Sequence, residues 1–200
     1  MTRRAISEVR MRVCGLVLAA GGGARFGGPK ALARTSNGEP WVARAVRMLR
    51  AGGCDDLLVT VGARRGEVTE LIPAEAAAVV VPDWSAGLGT SLRAGVHAAA
   101  DRECDVLVIV PVDTPDTPSS AVARVLAAVG PDTDTARGAL VQAVYGRHPG
   151  HPAVVGRHHF SALADGLCGD RGARAYLVAH GAVEVECGDL WSGDDVDVRP

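Results

Sequence analysis

Short apolar runs alternate along the chain with stretches in which apolar side chains return every three or four positions. The apolar run that starts at Val13 and is ended abruptly by Gly21-Gly22-Gly23 reads as a fully buried parallel strand. After Pro40, the residues Trp41, Ala45, Met48 and Leu49 keep helical spacing until Gly52-Gly53 stops the helix. Asp56 to Val61 is a second buried strand, Gly66 to Ile72 a weaker helix, and Ala77 to Val81 a third strand ended by Pro82. This order predicts right-handed crossovers and a parallel sheet, hence an α/β fold.

The second half repeats the theme. Pro82 to Gly89 is a loop, and Thr90 to Ala100 a helix with Leu92, Val96 and Ala99 on one face. Asp105 to Val110 is the most hydrophobic strand and therefore central. Ser119 to Val129 is an amphipathic helix, Pro131 to Arg137 a polar loop, and Ala139 to Tyr145 a strand running into the loop Gly146 to Pro152. His158 and His159 read as a surface pair on a helix. A helix then runs through Tyr176 and Leu177 to His180, followed by a half-exposed strand from Ala182 to Cys187 and an acidic tail. At 200 residues and 48% hydrophobic content, the chain predicts one domain over 13–200, preceded by a disordered extension over 1–12.

Charge and composition narrow the function. A formal charge of −2 with scattered arginines, and only 4% aromatics, argue against a nucleic-acid partner. No run is long enough for a membrane span. Arg3-Arg4 before an apolar run has the outline of a twin-arginine signal, but that run is needed as the first strand. The five cysteines are odd in number and lack a Cys-x-x-Cys pair, which predicts reduced thiols, no zinc site and a cytoplasmic location.

The candidate chemistry gathers after the first strand. Glycines that let backbone N–H groups approach a ligand, with Arg25 and Lys30 close behind, suit a polyphosphate. A Walker loop has the spacing Gly23 to Gly28, but Pro29 intrudes before Lys30 and Ala31 carries no hydroxyl. A dinucleotide fingerprint from Gly21 and Gly23 meets Phe26 at its last glycine. Asp113 ends the central strand, where a carboxylate either holds magnesium or turns the chain before Pro115. Ser91, in the first turn of its helix, either caps that helix or faces a phosphate. Asp170 either caps its helix or touches substrate, and Asp83 either turns the chain or touches base or ribose.

The stretch Leu18-Ala19-Ala20-Gly21 through Arg25-Phe26-Gly27-Gly28-Pro29-Lys30 resembles the signature of the MobA-like NTP transferases, most closely the molybdenum-cofactor cytidylyltransferases. Pro82-Asp83-Trp84 through Leu92-Arg93-Ala94-Gly95, Asp113-Thr114-Pro115, Gly150-His151-Pro152 and Gly169-Asp170-Arg171-Gly172-Ala173-Arg174 extend the resemblance. It implies a three-layer Rossmann-like nucleotidyltransferase fold with a mostly parallel sheet. Its reaction moves a nucleoside monophosphate from an NTP to a phosphate acceptor and releases pyrophosphate. It implies catalytic Arg25 and Lys30, nucleotide contacts from Leu18, Ala19, Ala20, Gly21, Gly22, Asp83, Gly87 and Ser91, and substrate contacts from His151, Asp170 and Arg171. Magnesium would be held by Asp113 and Asp197, the latter alternatively belonging to a solvated acidic tail. Relatives using CTP tend to read Leu-Ala-Ala-Gly, so the expected substrates are CTP and molybdopterin, with an apo-molybdoenzyme of the xanthine dehydrogenase type downstream. The family's usual serine is replaced by Gly23. Guanylyl or other nucleotidyl transfer, an NADPH-dependent dye or quinone reductase, and a non-catalytic cofactor carrier are the alternatives.

Overall fold

The computed structural model describes residues 11–198. A mixed seven-stranded sheet runs in the order β3-β2-β1-β4-β6-β5-β7. Its strands are β1 (Val13–Leu18), β2 (Asp56–Val61), β3 (Ala76–Val80), β4 (Val106–Pro111), β5 (Leu140–Tyr145), β6 (His148–Gly156) and β7 (Val183–Glu186). β1 pairs in parallel with both β2 and β4, which is why every residue of it is buried. Side-chain alternation sends Val13 and Val17 to one face of the sheet and Leu16 and Leu18 to the other.

Helices α1 (Trp41–Ala51) and α4 (Ser119–Ala127) cover the valine face through Trp41, Val42, Val46, Leu49, Val122 and Val125. The leucine face is covered by α3 (Leu88–Asp101), α6 (Phe160–Gly166) and α7 (Arg174–Ala179), through Leu92, Val96, Phe160, Leu163 and Leu177. A short α2 (Arg65–Glu70) follows β2. The result is the three-layer, mostly parallel Rossmann-like architecture expected from the sequence. Among the described residues no helix is long and apolar enough to cross a membrane.

Four expectations change. The segment from His148 onward, read as loop, is β6, antiparallel to both β4 and β5. Two prolines hid it: pairing with β4 begins at Ala153, just past Pro152, and Pro149 sits beyond the register shift in β5, so neither proline interrupts a regular ladder. The polar loop after Pro131 contains α5 (Thr133–Arg137), capped by Asp132, which accepts from the Thr135 amide at 2.9 Å. Residues 1–10 of the expected extension lie outside the described residues, but Met11 packs on the core and the Arg12 amide donates to Asp105 at 2.8 Å. Cys14 of β1 and Cys104, two residues ahead of β4, expected as free thiols, have Cα atoms 5.8 Å apart and are joined as a disulfide. Cys54, Cys168 and Cys187 are free. Ninety residues separate the two bridged cysteines, so only the parallel pairing brings them together.

Candidate active site

The parallel strands β1, β3 and β4 end on one edge, and the segments that follow them, together with Asp170 and Asp197, enclose a cleft of about 480 Å³. That is the size of a small-ligand site, at the carboxyl edge where open α/β sheets bind their ligands. The loop after β1 is fixed from below. The Ala19 amide donates to the buried Thr60 hydroxyl at 3.1 Å, and the Ala63 amide donates to the Ala20 carbonyl at 2.9 Å. Phe26 is buried against Trp41, with ring centroids 5.4 Å apart, and anchors the far side of the loop.

Within the loop, the amides of Phe26 and Gly28 both donate to the Gly23 carbonyl, at 3.0 and 3.1 Å. This tight closure puts Gly23 in the left-handed region, φ +60°, with its missing Cβ directed at the Gly28 carbonyl oxygen. The amides of Gly21 and Gly22 donate to no acceptor among the described residues, and both line the cleft. They are therefore available to an anionic ligand.

Charged groups line the same cleft. Lys30 opens a single helical turn (Lys30–Leu32), and its Nζ lies 2.9 Å from Asp113 Oδ2 and 2.9 Å from Asp197 Oδ1. Arg25, almost fully exposed, reaches the other oxygen of Asp197 at 3.5 Å. Burial works against the Lys30 charge, but the hydrogen bonds it donates to Asp197 and Asp113 outweigh it and hold the ammonium above its ordinary pKa. The Lys30 hydrogen bond, with the charges of Lys30 and Arg25, holds the Asp197 carboxyl below its ordinary range. The tail is brought here by its backbone: the Val196 amide donates to the Asp113 carbonyl at 2.9 Å.

Carboxylate oxygens of Asp113, Asp195 and Asp197 lie within 4.8 Å of one another. An all-oxygen set of this kind fits a hard divalent cation such as magnesium or manganese, which keeps further positions for water and phosphate. Asp195 was not singled out from the sequence. The signals that could have found it were the resemblance of Asp195-Val196-Asp197 to the Asp-Ile-Asp near the end of many relatives and the alternation itself, which places both carboxylates on the same side of an extended segment.

Of the residues named from sequence, Leu18, Ala19, Ala20, Gly21, Gly22, Arg25, Lys30, Gly87, Ser91, Asp113, Asp170 and Asp197 all line the cleft. Asp83 does not; it is exposed, and its neighbours Trp84 and Ser85 take the wall instead. Trp84 packs against the loop closely enough that a Cβ on Gly22 would stand 3.0 Å from its ring. Arg171 borders a separate shallow groove beside α7. His151 does not line the cleft; its Nδ1 lies 3.2 Å from the Ile109 carbonyl, and burial lowers its pKa. His158 and His159 lie in the turn Arg157–His159, where His159 Nδ1 contacts the Tyr176 hydroxyl at 2.9 Å.

Comparison with known proteins agrees with this geometry. The model of the MobA-like NTP transferase domain matches residues 15–184. Nicotine blue oxidoreductase of Paenarthrobacter nicotinovorans is 34% identical over 196 residues, 92% of each chain. Molybdenum cofactor guanylyltransferase of Burkholderia vietnamiensis is 32% identical over 192 residues, 92% of this chain and 90% of that one. Among solved structures, the Mycobacterium sp. strain JC1 homologue of Mycobacterium tuberculosis Rv0371c superposes with a TM-score of 0.77 at 32% identity, covering 95% of this chain and 92% of that one. Rv0371c of Mycobacterium tuberculosis in complex with manganese superposes with a TM-score of 0.69 at 25% identity, covering 88% of this chain and 89% of that one.

Proposed function

The chain belongs to the MobA-like NTP transferase family, and from that premise we propose that it transfers a cytidylyl group from CTP to the phosphate of a molybdopterin-type cofactor, releasing pyrophosphate. The observation that carries this reading is the Lys30 ammonium, 2.9 Å from each of two carboxylates and lining one cleft with the amides of the glycine loop. Phosphoryl chemistry of this kind needs little covalent help; positioning and fixed positive charge supply most of the rate.

The amides of Gly21 and Gly22 and the side chains of Arg25 and Lys30 would bind the triphosphate and stabilise the charge that builds on the leaving pyrophosphate. Asp113, Asp197 and Asp195 would hold a magnesium or manganese ion, which would neutralise phosphate charge; the manganese-bound Rv0371c structure supports that choice. Leu18 to Ala20 and the Trp84 wall would hold the base. The small Ala20 favours a pyrimidine, and the guanylyltransferase name of a relative makes GTP the competitor to measure first. Asp170 and the loop around it would bound the acceptor's side of the cleft.

Thermal stabilisation by each of CTP, GTP, ATP and UTP, with and without magnesium, tests the reading on the wild type and on Asp113→Ala. A magnesium-dependent rise with CTP, lost in Asp113→Ala, is expected. A response confined to GTP would overturn the base assignment alone. A second reading has one specific support, the 34% identity to a protein named as an oxidoreductase. Under it the same loop would hold the pyrophosphate of NADPH, and stabilisation by NADPH alone, indifferent to magnesium, would select it.

A further inference from the structure

We propose that Lys30 and the divalent cation exclude one another at the Asp113–Asp197 pair, so that Lys30 is a displaceable counter-ion that is released toward the triphosphate as the metal takes the carboxylates. This rests on the nucleotidyltransferase reading of the cleft. Both oxygens of Asp197 are engaged by side-chain cations: Oδ1 by Lys30 Nζ at 2.9 Å and Oδ2 by Arg25 at 3.5 Å. The Asp113 Oδ2 atom is shared with the same ammonium, also at 2.9 Å. A magnesium or manganese ion binds carboxylate oxygens at about 2.0–2.2 Å, so an ion on Asp197 shares an oxygen with one of these cations at a separation where the two positive charges repel.

The two cations differ in how firmly they are set. Arg25 is 84% exposed and makes a long, solvent-screened contact, whereas the Lys30 side chain is 14% exposed and central between the two carboxylates. Competition therefore falls chiefly on Lys30. Its four-carbon stem lets the ammonium move while its base stays fixed in the turn Lys30–Leu32, and Lys30 lines the same cleft as the amides of Gly21 and Gly22. A triphosphate lying on those amides offers the displaced ammonium new oxygens. Metal and nucleotide then favour each other's binding through the lysine, a coupling separate from direct chelation of metal by nucleotide.

The test uses manganese alone, without nucleotide, titrated into the full-length protein while free Mn²⁺ is followed by electron paramagnetic resonance. Lys30→Met is expected to bind Mn²⁺ at least about fivefold more tightly than wild type, and Lys30→Arg, which restores a cation, to bind as weakly as wild type. Arg25→Gln, at an exposed position that does not endanger folding, is expected to tighten binding in the same direction by less. Asp113→Asn in each background reports whether the ion sits at this site. Binding that is sensitive to Asp113→Asn but equal in wild type, Lys30→Met and Arg25→Gln would overturn the exclusion while leaving the metal reading intact. Binding indifferent to Asp113→Asn in every background would overturn the metal reading and the proposal with it.

Discussion

Gly23 is a position where the backbone admits no side chain. Its φ of +60° and the Gly28 carbonyl in the direction of its Cβ mean that the serine usual in relatives does not fit this loop as it is folded. Gly23→Ser is therefore expected to weaken nucleotide binding, by roughly tenfold or about 1.4 kcal/mol, rather than to add a phosphate contact. Isothermal titration with CTP or GTP measures it, and equal or tighter binding would show that the loop relaxes to accept the hydroxyl. Cysteine reactivity divides at the same scale. Burial, and secondarily the neighbouring Asp55 charge, pushes the Cys54 thiol up to about 12, and burial also raises Cys187, while Cys168 is exposed. The thiolate is the nucleophile, so at pH 8 only a fraction on the order of 10⁻⁴ of Cys54 is reactive. Alkylation of the native protein at pH 8 is expected to label Cys168 alone, read by peptide mass mapping. After denaturation without reductant, three thiols rather than five are expected, because Cys14 and Cys104 are joined.

Among the elements, α3 approaches the sheet closely at a glycine. Gly95 lies so near the fully buried Leu16 of β1 that a Cβ there would overlap the leucine side chain. Glycine to alanine inside a helix ordinarily gains about 1 kcal/mol, but overpacking a filled core costs about 1–3 kcal/mol. Packing is expected to win: Gly95→Ala should lower Tm by roughly 2–4 °C for each kcal/mol lost. A rise in Tm would mean that Leu16 moves aside freely. The antiparallel β6 sets a pH response. His151, whose Nδ1 meets the Ile109 carbonyl of β4, is kept neutral mainly by burial, against the hydrogen bond to Ile109 and the charge of Asp113. Its folded pKa lies below the unfolded value, so the unfolded chain binds the extra proton and stability is lost as pH falls through and below about 6.5. Urea titrations between pH 5 and 8 check this, with His151→Gln expected to flatten that part of the profile.

At the scale of the molecule, Asp105 ties distant parts of the chain at the amino edge of the sheet. It is 3% exposed, accepts from the Arg12 amide at 2.8 Å and from Arg137 Nε at 2.7 Å, and so joins the chain entering β1 to the end of α5. Asp105→Ala is expected to cost about 2–3 kcal/mol, since it strands a part-buried guanidinium and an amide whose bonds to a charge are lost. Denaturant titration measures it, and activity corrected for the folded fraction should be unchanged because the site lies at the opposite sheet edge.

The central parallel strands β1, β2 and β4 were legible in the chain because they are buried on both faces and carry short runs dominated by valine and leucine. The glycine loop was equally legible, since its chemistry is contiguous from Ala19 to Lys30. β6 was not, because its prolines read as turn residues and become acceptable only where the ladder with β4 and β5 starts or shifts. Sequence by itself therefore determined the fold class, the glycine loop and the family resemblance, all of which reside in local periodicity and short motifs. Only the tertiary structure decided that Lys30, Asp113 and Asp197 meet, that Asp195 joins them, that Trp84 rather than Asp83 walls the cleft, and that Cys14 reaches Cys104. Those are contacts between residues tens to more than a hundred positions apart, and they are set by strand order and loop closure, which no local pattern encodes.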